Sequence, residues 1–185
     1  MFEFTNIKSF AGFLCSCRDL KGPALRAVLE LNPSALEQAA SLDRERKLNG
    51  PGSALHDIPI ILKDNIAAVA SEGMNTTAGS FSLLGSVVLE DADVVKRLRK
   101  AGAIIHGKVS LSECSHFRGK LLAGRSGRGG QNTNTYFSNA DPCGSSSGSG
   151  VATSIGLIAV SFGTETDGSI TCTPCARSAC HCLSS

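Results

Sequence analysis

A single α/β domain with a largely buried sheet is what this sequence predicts, and three observations carry the prediction. Short apolar runs of strand length, such as Ile58-Pro59-Ile60-Ile61-Leu62 and Ala103-Ile104-Ile105-His106-Gly107, alternate with stretches of helical spacing. The runs are continuously apolar instead of alternating, as strands covered on both faces are. The chain has 185 residues, 42% of them hydrophobic. A chain of that size buries roughly 70% of the surface it exposes when unfolded, which is enough for one core.

Taken in order, Ala27-Val28-Leu29-Glu30-Leu31 reads as a short strand. Asn32 then offers an N-cap with Pro33 at the first helical position. Leu36, Ala39 and Ala40 keep helical spacing, and Asn49-Gly50-Pro51-Gly52 stops the helix. Ile58 to Leu62 is a buried strand ending at Lys63-Asp64-Asn65. Asp91 can cap a second helix that turns Val94, Val95 and Leu98 inward and Lys96, Arg97, Arg99 and Lys100 outward. Gly102 closes it, and Ala103 to Gly107 forms the next strand. From Gly119 to Asn139 the chain is polar, glycine-rich and without periodicity. A Gly/Ser loop at Gly144 to Gly150 then leads into a small-residue helix over Val151 to Gly156. Leu157-Ile158-Ala159-Val160-Ser161-Phe162 follows as a buried strand, and Gly163 to Ser169 as a loop.

Charge and composition narrow the function classes. A formal net charge of +2 gives no general attraction for nucleic acid or an anionic membrane. No stretch approaches the ~18 uninterrupted apolar residues of a spanning helix. Met1 to Leu20 is too polar, and its apolar part too short, for a secretory signal, so an intracellular location is favoured. Without an export signal, the eight cysteines do not by themselves support a disulfide framework. The Lys96 to Lys100 cluster reads as a solvated helix face, and His56, His106 and His116 as structural histidines.

Three features could carry chemistry. Lys63 follows directly on a buried strand, where desolvation lowers an amine's pKa toward neutrality and makes it a usable base. Cys143-Gly144-Ser145-Ser146-Ser147-Gly148-Ser149-Gly150 has the composition of a flexible linker, yet an apolar helix and strand stand behind it. In Gly163-Thr164-Glu165-Thr166-Asp167-Gly168-Ser169 a serine follows a glycine-containing turn at a strand end. There consecutive backbone N–H groups can converge on one point, as an oxyanion hole beside a nucleophile requires. The spacing Gly144, Gly148, Gly150 also suits a dinucleotide loop, but the polar, proline-containing run from Asn132 to Pro142 is not the strand such a loop needs.

Together these features resemble the amidase signature family. The resemblance runs from about Pro23 to Cys172 and takes in Leu55 to Asn65, Thr76-Thr77-Ala78-Gly79-Ser80, Gly107-Lys108-Val109-Ser110-Leu111-Ser112-Glu113 and Ser126-Gly127-Arg128-Gly129-Gly130-Gln131-Asn132. It ends with the two serine loops, whose Ser145 and Ser169 stand 24 residues apart as the family pattern has them. The resemblance implies a mixed sheet flanked by helices, forming the N-terminal part of the family's fold. It also implies a Ser–Ser–Lys triad, with Ser169 as nucleophile, Ser145 as bridging serine and Lys63 as base. The backbone N–H groups of Thr166, Asp167, Gly168 and Ser169 would hold the oxyanion, and the Gly144–Ser145 peptide would be cis. The expected substrate is a small-molecule amide, with no cofactor, no metal, no membrane and no direct nucleic-acid partner.

Two departures from the family pattern stand out. Asp167 replaces the more common second glycine, which points to the amidase branch over the transamidase that acts on glutamine for tRNA amidation. After Cys172 the sequence leaves the pattern. The expected division is therefore an N-terminal segment over 1–22, a partial amidase domain over 23–172 and a divergent cysteine-rich tail over 173–185. Family members are several hundred residues long, so the alternative is an inactive truncated product or a non-enzymatic paralogue. The tail's Cys172, Cys175, Cys180, His181 and Cys182 supply enough donors for zinc, although three adjacent ligands converge poorly.

Overall fold

The structure is a computed structural model. It describes residues 25–117, 119–137 and 140–172 with the backbone of 180–184. The N-terminal segment 1–22 and most of the tail lie outside the described residues, as do the side chains of Cys175, Cys180, His181 and Cys182 on which a zinc reading of the tail depends.

Five strands form one mixed sheet in the order β1-β3-β2-β6-β7: β1 (Val28–Leu31), β3 (Ile104–Val109), β2 (Pro59–Lys63), β6 (Val160–Glu165) and β7 (Cys180–Ser184). The β3, β2, β6 and β7 strands run parallel, and β1 lies antiparallel on the β3 edge. A two-stranded ribbon of β4 (Arg125–Ser126) and β5 (Gly130–Gln131) breaks the stretch that lacks periodicity in the sequence. The backbone of Cys180–Ser184, beyond the resemblance, extends the sheet beside β6.

The two central strands are buried along their whole length, as their continuous apolar character demands. One face of the sheet carries Ile60, Leu62 and Ile105 and packs on Val95 and Leu98 of a helix over Asp93–Lys100. The other carries Ile61 and Val109 and packs on Val151 and Ala152 of a helix over Ser147–Ser154. In chain order the helices are α1 (Ala35–Asn49), α2 (Asp93–Lys100) and α3 (Ser147–Ser154).

Several expected boundaries shift, each for a local reason. The α1 helix starts after Ser34, because Asn32 Oδ1 accepts from the Ser34 N–H at 2.9 Å and its hydroxyl at 2.8 Å, folding a turn ahead of the helix. Asp91 does not cap α2; its carboxylate accepts from Val69 N at 2.8 Å and pairs with Arg99 at 2.8 Å. Arg99 is consequently half-buried between Asp91 and Glu72 instead of lying on a solvated face. The α3 helix begins inside the Gly/Ser loop, at Ser147. Its small residues let the helix backbone press on the chain after β3: a Cβ at Gly148 would stand 2.3 Å from Ser110 O. The β6 strand begins at Val160 and runs on through Gly163-Thr164-Glu165.

Candidate active site

Lys63 ends β2, and its register neighbour Val109 belongs to the core beneath α3, so the lysine side chain faces the Gly/Ser segment. The side chain is fully buried. Its Nζ donates to Ser145 Oγ at 2.6 Å, Ser146 Oγ at 3.0 Å and Thr164 O at 3.0 Å. Ser145 Oγ in turn lies 2.7 Å from Ser169 Oγ. The three residues picked out in the sequence thus form one continuous hydrogen-bonded chain, although 82 residues separate the first pair and 24 the second. Burial lowers the Lys63 amine to about 7, against the opposing pull of the Glu165 carboxylate.

The turns carrying the serines are tied to each other. Ser146 N donates to Ser169 O at 2.9 Å, and Ser146 Oγ donates to Thr164 O at 3.1 Å. The Gly144–Ser145 peptide, expected cis from the resemblance, is trans, as is every peptide bond among the described residues. The chain reverses there through positive φ at Cys143 (45°) and Gly144 (68°). A disulfide joins Cys143 to Cys172, with a Cα–Cα distance of 5.6 Å. The sequence offered no compartment argument for such a bond. The bond flanks the two serine turns, with Cys143 two residues before Ser145 and Cys172 three after Ser169.

Ser145 and Ser169 open onto a cavity of about 1330 Å³. Thr166, Asp167 and Gly168 line it beside Ser169, with Gly168 at φ 67° allowing the sharp turn. Asp93, Asp141, Glu165 and Asp167 are on its wall, and no lysine or arginine is among the described lining residues. The histidines divide. His56 is buried with its Nε2 on Leu42 O at 3.2 Å, and buried His106 is held neutral, its pKa lowered to about 4 by desolvation. His116, expected to be structural, lies on the cavity wall and donates to Leu121 O at 2.7 Å. Among the described residues no group of His, Cys, Asp and Glu could hold a metal ion.

A second set of buried groups braces Lys63 from behind. The fully buried Asp64 accepts from the Thr77 hydroxyl and from Gly79 N at 2.9 Å. Arg128 donates to Thr77 Oγ1 at 3.0 Å and to Glu30 Oε2 at 2.6 Å. Thr77, Gly79 and Arg128 all fall in stretches that carried the resemblance. Their role in anchoring the strand end was not legible from spacing, nor was the contact of Ser146 with Lys63.

A buried lysine at the carboxyl end of a parallel strand, a serine in the turn before α3 and a serine beyond the end of β6 form one hydrogen-bonded chain of the kind that can activate a serine hydroxyl. The family follows from comparison: the Amidase family model matches residues 16–181, and the chain belongs to that family. It is 55% identical over 151 residues to a probable amidase of Arabidopsis thaliana, covering 80% of this chain and 29% of that protein. It is 41% identical over 139 residues to a glutamyl-tRNA(Gln) amidotransferase chain of Symbiobacterium thermophilum, covering 73% and 26%. The native peptide amidase of Stenotrophomonas maltophilia superposes with a TM-score of 0.82 at 49% identity, over 90% of this chain and 34% of that one. The chain therefore spans less than a third of the curated relatives' length.

Proposed function

We propose that this chain carries the acyl-transfer centre of an amidase, cleaving the C–N bond of a small carboxamide through an acyl-enzyme on Ser169. The observation that carries the reading is the unbroken chain from Lys63 Nζ through Ser145 Oγ to Ser169 Oγ. With Lys63 protonated, the amine donates to Ser145 and Ser145 to Ser169. With Lys63 neutral, both hydroxyl protons turn the other way, so that Ser169 donates to Ser145 and Ser145 to the amine. Ser169 Oγ then attacks the amide carbon as its proton passes to Ser145 and that of Ser145 passes to Lys63. The backbone N–H groups of Thr166, Asp167, Gly168 and Ser169 receive the oxyanion. The relay returns a proton to the leaving nitrogen, ammonia or an amine departs, and water hydrolyses the ester by the same route.

The acidic cavity wall supports a small neutral or cationic amide over an anionic one, whose charge it would repel. The higher identity to the amidase relatives supports an amidase over a transamidase that acts on glutamine. The test is a serine-directed fluorophosphonate followed by peptide mapping, with ammonia release measured in parallel from a panel of primary amides. Adduct on Ser169, absent from Ser169→Ala, is expected; no adduct, or equal labelling of the variant, would overturn the reading.

A second reading, acylation without efficient turnover, has its own observation. Phe117 on the cavity wall is 88% exposed. A pocket so open holds a small amide weakly. On that reading the probe reacts while ammonia release stays near background.

A further inference from the structure

We propose that the Cys143–Cys172 disulfide is a redox-sensitive clamp that positions Ser145 against Ser169, so that a dithiol reductant at the cavity mouth turns the site down. The inference rests on the acyl-transfer reading above for its functional consequence, and on the placement of the bond for its physical one. Cys143 stands two residues before Ser145, and Cys172 three residues after Ser169. The bond therefore ties the outer ends of the two turns whose inner ends make the Ser145–Ser169 contact of 2.7 Å.

The two turns have few other ties at that end. Cys143 N donates to Asp141 Oδ1 at 2.6 Å and Cys172 N to Gly168 O at 3.1 Å, and both bonds stay within their own turn. Cys143 itself has φ 45°, a left-handed conformation that a non-glycine residue keeps only where its surroundings enforce it. Once the sulfurs part, the ties between the turns lie inboard of the cysteines, in Ser146 N–H to Ser169 O, Ser146 Oγ to Thr164 O and the Lys63 amine that both turns share, and the outer ends lose their covalent link. A proton relay is intolerant of such slack: a misplacement of ~1 Å costs on the order of 10²-fold in rate.

The bond is open to exchange. Cys172 is exposed, Cys143 is half-buried, and both line the cavity. Attack by a reductant thiolate on the accessible Cys172 sulfur breaks the S–S bond and expels Cys143 as thiolate, leaving a mixed disulfide. The second thiolate of the reductant closes on its own sulfur and releases Cys172. Two electrons and two protons thereby move from the dithiol to the protein, giving two cysteine thiols and a cyclic disulfide. An exchangeable disulfide oxidant reverses the step. Cys114, half-buried and unpaired, provides an internal control thiol.

The whole chain is the object of the test. Unreduced protein is alkylated with iodoacetamide and mapped; a cross-linked Cys143–Cys172 peptide beside alkylated Cys114 is expected, and alkylation of both partners overturns the proposal. Fluorophosphonate labelling of Ser169 is then timed in oxidised, reduced and reoxidised protein and in Cys143→Ser/Cys172→Ser. A fall of about 10²-fold on reduction, recovered on reoxidation but not in the variant, is expected. Hydrogen exchange is followed on the same samples. Faster exchange confined to residues 144–147 and 166–170 supports the clamp. Unchanged exchange and labelling overturn it, as does loosening of β2 and β3 in step with the turns, which would make the bond a general staple. If neither redox form reacts with the probe, that failure counts against the acyl-transfer reading, while exchange still decides the clamp.

Discussion

Lys63 and Lys108 are two buried lysines on neighbouring strands, and they show what sets an amine joined to the serines apart from one closed in packing. Both are fully buried, and burial lowers both, Lys63 to about 7 and Lys108 to about 8. In the β2–β3 register Lys108 pairs with Leu62 and Lys63 with Val109, so the two side chains leave the sheet on opposite faces. Lys108 donates to Ile66 O at 2.6 Å and Thr76 Oγ1 at 3.0 Å, with Asp64, Glu30 and Asp91 favouring its charge. Its partners are a carbonyl and a threonine in closed packing, so a lost proton has nowhere useful to go. Lys63 meets two serine hydroxyls, one of which leads on to a third at the cavity. Desolvation is common to both; the chain of exchangeable protons is not.

The largest test of this contrast is a pair of isosteric replacements. Lys63→Met should slow Ser169 labelling by about 10²–10⁴-fold, the usual contribution of a general base, with the fold retained. Lys108→Met should leave labelling within a few-fold of wild type. It should instead lower stability by about 1–3 kcal/mol in urea unfolding, because Ile66 O and the Thr76 hydroxyl lose their buried donor. Equal effects of both variants on labelling would erase the distinction.

The pH dependence sharpens it further. On the proposed mechanism neutral Lys63 takes the proton, so labelling should rise with pH up to about 7 and level off above it. For stability the sign follows from proton counts. Between about 7 and 10.5 the unfolded chain carries a proton on Lys63 that the folded one lacks, so stability rises with pH across that window. Lys108 adds the same trend only above about 8. Each contributes a slope of about 1.4 kcal/mol per pH unit within its window. Denaturant titrations of wild type and Lys63→Met between pH 7 and 8 should show the slope vanish in the variant; an unchanged slope would place the titration elsewhere.

The smallest expected effect concerns Ser146, which shares Lys63 Nζ with Ser145 and whose hydroxyl donates to Thr164 O. Ser146→Ala should slow labelling less than tenfold, whereas Ser145→Ala should slow it by about 10²-fold or more, since only the latter cuts the relay. A larger loss in Ser146→Ala, in the same timed labelling assay, would mean that the proton travels by a different hydroxyl.

The sequence was most legible where one element sufficed. The strands at Ile58 to Leu62 and Ala103 to Gly107 could be read from unbroken apolar character, and the grouping of Lys63, Ser145 and Ser169 from the motifs that carry the resemblance. It was less legible where a side chain's partner lies far along the chain. Asn32 and Asp91 look like caps to a local reading, but Asn32 folds a turn ahead of its helix and Asp91 joins Val69 and Arg99. The Gly/Ser run reads as a loop because its helix is stabilised by close approach to Ser110, a contact invisible to periodicity.

By itself the sequence determined that this is an α/β protein of the amidase type with a lysine at the end of a buried strand, because apolar runs and short motifs are properties of neighbouring residues. Only the tertiary structure decided which of two buried lysines meets the serines. It also decided that the Gly144–Ser145 turn is trans and that Cys143 reaches Cys172. Those outcomes depend on sheet face and on register between strands. A shift of one residue along a strand sends a side chain to the other face, so only assembly of the sheet could decide them.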